Sequence, residues 1–420
     1  VTVNAGDVTS TGNTAIIAQQ TKVAGSGIID VTAGKVSGTT GIDAHNFGTG
    51  ATSVTANGTV TGSFAEGIKV VGNAAVTVSV ADTVTGATRG LSLVGGTGGS
   101  GDISVTGTGG FAGGSGDAAN ILNNGSGTVT IDISGASSST GGEGIVVRDV
   151  TTSTGISVTT GAVTALTAGK DAIDVQSQSL TGNITEVANG NLQAGNAGMV
   201  AAILNAAGIG NIDVTANGSL DARFGIDAEN FGSGSTKVTT VGPVTVTTGN
   251  GIFALSTGGD VTVNAGDVTS TGNTAIIARQ TGAGAGAIAI TTNGTVEGAI
   301  AAIDAQSNAG HAIGITLSGA THNSSQTAAA LAINTAGGAT TLINNGALLG
   351  RVTLGDFVDK VTNNATWTTG GTSQFGAGFD SLINAASATL VTASNGASLE
   401  TTTFSGLESL SNSGLLTMQD

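Results

Sequence analysis

The chain has 420 residues, with 72 Gly, one Pro (Pro243), no Cys and no Tyr. Glycine this abundant without proline is neither collagen nor a typical disordered linker, and the plentiful Val, Ile, Ala and Thr supply a core of small aliphatics. A net charge of -16, from 27 acidic and 11 singly scattered basic residues, argues against a nucleic-acid partner, which needs clustered Lys and Arg.

The first segment, VTVNAGDVTSTGNTAIIAQQT (1–21), already shows the unit. Val1 and Val3 point to one side of a strand and Thr2 to the other. A glycine corner follows at Gly6, then a second strand, AIIA, from Ala15. The corner recurs at Gly34, Gly58, Gly161, Gly190, Gly218, Gly242, Gly266, Gly294, Gly319 and Gly346, with weaker slots at Asp82, Gly109 and Gly135. Thirteen steps cover the 340 residues from Gly6 to Gly346, a mean near 26. The second strand recurs as GIDA at Gly41, GIKV at Gly67, GLSL at Gly90, GIVV at Gly144 and AIDV at Ala172. Whole modules are reused: 1–21 returns at 261–281 with only Gln19 and Arg279 differing, and GIDAHNFGTG (41–50) returns as GIDAENFGSG (225–234).

Short strands joined by corners at a constant coil length predict an all-β, right-handed parallel β-helix, or solenoid, of about 14–17 rungs. The corners are expected to need positive φ, which Gly accepts and Asn tolerates. One rung cannot stand alone, because its few buried aliphatics do not offset the ordering of its backbone. Residues 1–349 read as repetitive rungs. From 350 to 420 the spacing breaks, with corner-like sites at Asn364, Gly396 and Gly414. Five of the eleven aromatics fall there: Phe357, Trp367, Phe375, Phe379 and Phe404. This section reads as a cap or folding nucleus with a larger-residue core.

Chemistry is sparse. Asp43, Asp174, Asp227 and Asp304 each follow the inward Ile of a second strand and are the best candidates for paired glycosidase or lyase carboxylates. By corner count they fall on rungs 2, 7, 9 and 12, so no two are adjacent and no pair is expected to be close. His45 is replaced by Glu229 in the second GIDA module, and His311 and His322 have no evident third ligand, so a metal or acid/base role is not expected of them. The stretches Gly95–Gly101 and Gly107–Gly116 lack the GK[ST] ending of a phosphate loop. Their GGSGD sequences, with Asp102 and Asp117, depart from the calcium nonapeptide G-G-x-G-x-D. Arg89, Arg148, Arg223, Arg279 and Arg351 are isolated, and G-x-S-x-G is absent. TVT at 59–61, 128–130 and 245–247 is too irregular for an ice-binding face. No catalytic, metal or cofactor residue is assigned. Zero Cys removes disulfides and thiolate metal sites, and no run approaches the 18 apolar residues of a membrane span.

The Gly/Ala/Thr/Val/Asn-rich rungs resemble the passenger region of Gram-negative autotransporters. The closing segment carries the most specific part of the likeness: Phe404-Ser405-Gly406-Leu407-Glu408 through Asn412 and Gly414 is similar to the F-x-x-L-E-x-x-x-N-x-G units that precede the translocator barrel. The resemblance implies export as an unfolded chain and display at the outer-membrane surface. It also implies a barrel beyond residue 420 and a non-catalytic structural or adhesive stalk. Expected partners are a second copy or a cell-surface glycan. A self-assembling surface-layer or fibre subunit and a carbohydrate-active β-helix enzyme are the alternatives. Val1 falls inside a repeat and no signal segment opens the chain, so it reads as a piece of something longer.

Overall fold

In a computed structural model of the chain, residues 1–420 are described except 97, 98, 100, 151, 285, 394–400 and 420. The corner expected at Gly396 and part of the glycine-rich stretch 95–101 therefore lie outside the described residues. The fold is the expected one: parallel strands stacked as a β-solenoid of about 16 turns. Two compact units are present, Val1–Ala222 and Arg223–Asp420.

In the first unit, a coil consists of three strands, as in Ile29–Ala33, Val36–Gly38 and Ile42–Asn46. Each alternates buried and part-exposed side chains, because successive side chains point to opposite faces. The next coil pairs with it in parallel and in register. Val31 therefore sits over Val54, Val54 over Val78, and Val78 over Val105. At the short strand, Val36, Val60, Val84 and Phe111 form a second inward column. These inward positions are thus vertical stacks made mainly of aliphatics, nearly all fully buried. This is how coils that are individually too small acquire a shared core.

The corners depart from expectation. None of the corner glycines from Gly6 to Gly346 adopts positive φ, and the one non-glycine residue that does so among the described residues is Gln326. The requirement is instead for close approach between coils. A Cβ on Gly218 would stand 2.2 Å from the Gly190 carbonyl oxygen, on Gly346 2.1 Å from that of Gly319, and on Gly319 2.0 Å from that of Gly294. Most corners lie this close to the coil one turn away, where only hydrogen fits; Gly6 meets nothing within 4 Å, and Gly58 and Gly266 come no nearer than 3.1 and 3.2 Å.

The reused GIDA module owes its Asn to the same geometry. Asn46 is fully buried at the end of its strand. Its Nδ2 donates to the Gly50 and Gly27 carbonyls, and its Oδ1 accepts from the Gly48 amide. Asn230 accepts equivalently from Gly232. His45 and Glu229, which differ between the copies, face outward and are only partly buried.

In the second unit, residues 261–281 form the same three strands as 1–21: Val261–Ala265, Val268–Ser270 and Ile276–Gln280. Toward the C-terminus the core changes. The buried Asn344, Asn363 and Asn384 and the exposed Asn412 form a ladder, each Nδ2 donating to the Oδ1 of the next at 2.7–2.8 Å. Those steps span 19, 21 and 28 residues, so coil length varies here. Of the five aromatics after residue 350, Trp367 and Phe375 are fully buried, with the Trp367 Nε1 donating to Gly350. Phe404 packs edge-on against both. Phe357 and Phe379 are exposed, so only part of this aromatic set enlarges the core.

The corner geometry separates two substitutions. Gly218→Ala drives a methyl into the adjacent coil and should destabilise by about 1–3 kcal/mol. Gly6→Ala meets nothing within 4 Å and should be neutral or stabilising by about 0.4–1 kcal/mol. Urea unfolding of both variants checks this; equal destabilisation would restore the dihedral explanation.

Candidate functional site

The four aspartates expected as site candidates occupy one outward position of the second strand. In the first unit Asp43 and Asp174 share a column, separated in turn by Lys69, Ser92, Asn120 and Val146. In the second unit Phe253 and Ile277 separate Asp227 from Asp304. The candidates therefore do not meet one another. Asp174, however, lies against acids of a different column.

That second column stands just before the aliphatic that opens each second strand. It runs Glu66, Arg89, Asp117, Glu143 and Asp171 on successive coils, because the amides of Gly67, Ala118 and Gly144 pair with the carbonyls of Arg89, Glu143 and Asp171. Glu143, Asp171 and Asp174 bring a carboxylate oxygen each within 4.8 Å of one another, the one such group of potential metal ligands among the described residues. Single-column reasoning missed it, although the signal was present as E-G-I, R-G-L, D-A-A, E-G-I and D-A-I.

The cluster is neutralised from within. Asp117 accepts from Arg89, from Asn120 Nδ2 and from the Glu143 amide. Asp171 Oδ1 accepts from Asn196 Nδ2 and the Ala197 amide. Asp174, only 4% exposed, accepts from Arg148 and Gln176. Arg148 also donates to two carbonyls, those of Val147 and Asp174. Lys170 stands 3.9 Å from Glu143. Burial, with Asp174, Asp171 and Asp117 nearby, raises the Glu143 carboxyl above the usual range, and Lys170 opposes the shift. Asp171 is raised by burial, against the amide bond from Ala197. A raised carboxyl beside an arginine-paired one has the electrostatics of an acid and nucleophile pair. Asp174, however, is covered by Arg148 and Gln176 and has no face open to a substrate. A cation entering here would have to displace Arg148. The chemistry available to the cluster as it stands is coil-to-coil clamping.

Glu186 is the other misfit. In NITEVA (183–188) it takes an inward position, between Val158 and Val214 in the aliphatic column. It is fully buried and neither carboxyl oxygen has a hydrogen-bond partner. Burial, reinforced by Asp174, raises its pKa well above the ordinary value. An ionised carboxylate there would be prohibitive, so it is held as the acid.

Of the remaining sequence candidates, the structure pairs His45 with Asp43 and gathers no larger set among the described residues. His45 Nε2 lies 2.8 Å from Asp43 Oδ1. His322 Nδ1 is 3.2 Å from the carbonyl of Asn323. No histidine joins a three-ligand group among the described residues. Asp102 accepts from the amide and hydroxyl of Thr128, one coil on, so it and Asp117 act as backbone caps. In the second unit a comparable column caps in the opposite direction. Asp359 accepts from the Thr340 amide, Asp380 from that of Asp359, and Glu408 from that of Asp380. Burial first, opposed by the Thr340 bond and aided by Asp380, pushes Asp359 up to about 7.

Two outcomes follow. Arg148→Met strands a buried carboxylate and should cost about 2–4 kcal/mol in urea unfolding; adding Asp174→Asn should recover at least half, and a silent single variant would dismiss the clamp. For Glu186 the folded chain holds a proton that the unfolded chain releases, so its contribution is full below the unfolded pKa and is lost as pH rises toward the folded one. Glu186→Gln should therefore flatten the fall in melting temperature between pH 5 and 9, relative to the parent. An unchanged slope would place the parent's pH dependence on other groups.

No protein-family model, no curated protein and no solved structure matches the chain.

Proposed function

We propose that this chain is a non-catalytic structural and adhesive solenoid displayed at a bacterial surface, the passenger part of an autotransporter, acting in attachment, aggregation or biofilm formation. One observation carries the non-catalytic part of this reading: a set of six outer-face acids is committed to stacking. Asp7, Asp102, Asp117, Asp171, Asp260 and Asp267 each bond the backbone amide of the following coil. Side chains used in this way hold a surface in place and are themselves withdrawn from bond-breaking chemistry. The surface and passenger part rests on the resemblance of the closing segment, Phe404 through Gly414, and on a cysteine-free composition suited to export. Adhesion by such a surface is the sum of weak contacts repeated along the coils.

A carbohydrate-active enzyme is the second reading, and the stacked carboxylates at Asp117, Glu143 and Asp171 are what favour it. Beads coated with the full chain, presented to epithelial and bacterial cells, test the first; reducing-end assays on a polysaccharide panel test the second. The expected result is bead attachment without sugar release. Turnover that disappears in Glu143→Gln and Asp174→Asn would replace adhesion with hydrolysis.

A further inference from the structure

The second unit holds a cavity of about 230 Å³ on its outer face, lined by Phe224, Ile226, Asp227, Asn250 and Phe253. It is smaller than the about 300–1,000 Å³ sites of drug-sized ligands, so it admits one ring. We propose that this pocket binds a single neutral saccharide ring, a reading that rests on the adhesive function above and names its ligand class.

The pocket has two kinds of wall. Phe224 and Phe253 supply apolar faces, and Phe224 is 39% exposed. Each ring carries a guanidinium: Arg223 lies 5.9 Å from the Phe224 centroid and Arg279 5.7 Å from that of Phe253. Asp227 and Asn250 supply acceptors. Asn250 Oδ1 has no hydrogen-bond partner and lies just beneath the cavity wall, so a ligand hydroxyl reaches it by a turn of the Asn250 amide.

The Phe224 ring is positioned by its surroundings. The Thr248 and Gly249 amides both donate to the Arg223 carbonyl, which pins the chain beside the ring. A Cβ on Gly249 would fall 1.9 Å from Phe224 Cδ1, so the ring occupies the space that a side chain at 249 would take.

These walls select the ligand. A purely apolar guest leaves Asn250 Oδ1 unsatisfied. A cation meets Arg223 and Arg279 already seated on the rings. An anion meets the Asp227 carboxylate. A pyranose satisfies both walls, because its C–H face lies on a phenyl ring while its hydroxyls donate to Asn250 Oδ1 and Asp227. One small pocket gives weak binding, about millimolar, which repetition on a surface multiplies.

The test is saturation-transfer NMR on the full chain with glucose, galactose, mannose, N-acetylglucosamine and N-acetylgalactosamine, with galacturonate and choline as charged controls. At least one neutral sugar should show transfer, and the charged controls should not. Phe224→Ala and Asn250→Leu should reduce the transfer at least fivefold, with melting temperatures near the parent's. Gly249→Ala, which displaces the ring without removing it, should also weaken it. Where Phe224→Ala melts early, Phe224→Leu keeps the bulk and removes the aromatic face. Absence of transfer from all five neutral sugars, or transfer surviving in Phe224→Ala and Asn250→Leu, overturns the proposal. Bead attachment separates the two readings: attachment by a parent that binds no sugar sinks only the pocket, whereas sugar binding without attachment sinks the adhesive function.

Discussion

Each coil of this chain is stable because it hydrogen-bonds to the coil one turn away. A strand such as Ile42–Asn46 has no partner within its own coil and must pair with Ile16–Gln20 on one side and Ile68–Gly72 on the other. In-register parallel pairing places like over like, so one choice of residue type is tested in every coil. Aliphatics pass at inward positions because their burial adds from coil to coil. Charges at outward positions pass when the column neighbours are neutral, as Ile277 and Asn334 are around Asp304, or when a partner of opposite sign is at hand, as where Lys69 pairs over Asp43 and Arg89 faces Asp117.

The same constraint explains why glycine is so abundant. The corners were legible in the sequence as recurring Gly, often after Asn, but the dihedral reason assigned to them was wrong. Gly190 and Gly218 lie so close that backbone meets backbone, and the intercoil distance leaves no volume for a methyl. A local code of turn residues cannot express this, because the obstructing atom belongs to a residue one coil away.

The three-strand coil was readable because Val-x-Val alternation is local and the duplicated 21-residue module assumes the same strands in both units. Asn46 was visible in its repeated motif, but its role as a buried cap depends on where the strand turns inward. The acidic column was missed for a different reason. Glu66, Arg89, Asp117, Glu143 and Asp171 differ in type and sit at uneven sequence intervals, so no regular period flags them. Only the ladder aligns them. Glu186 could have been seen: alternation through Ile184, Glu186 and Ala188 puts it inside, where an acid conflicts with every neighbour in its column.

Glu186 and the Asp117–Asp174 cluster show how far a stack can depart from its own pattern. A buried acid without a partner is tolerated only as the neutral acid, and it is surrounded by coils whose aliphatic columns are otherwise unbroken. A charged cluster is tolerated when arginine, lysine, amides and backbone N–H groups satisfy its oxygens. The pocket at Phe224 follows neither course. Its rings are backed by guanidinium groups, and Phe224 fills the space that Gly249 leaves open, while Asn250 Oδ1 is left unsatisfied. Other buried oxygens of the fold also lack a partner, but Asn250 differs in lining a cavity, where a donor from outside can supply one. That difference separates a residue serving the stack from one serving a ligand.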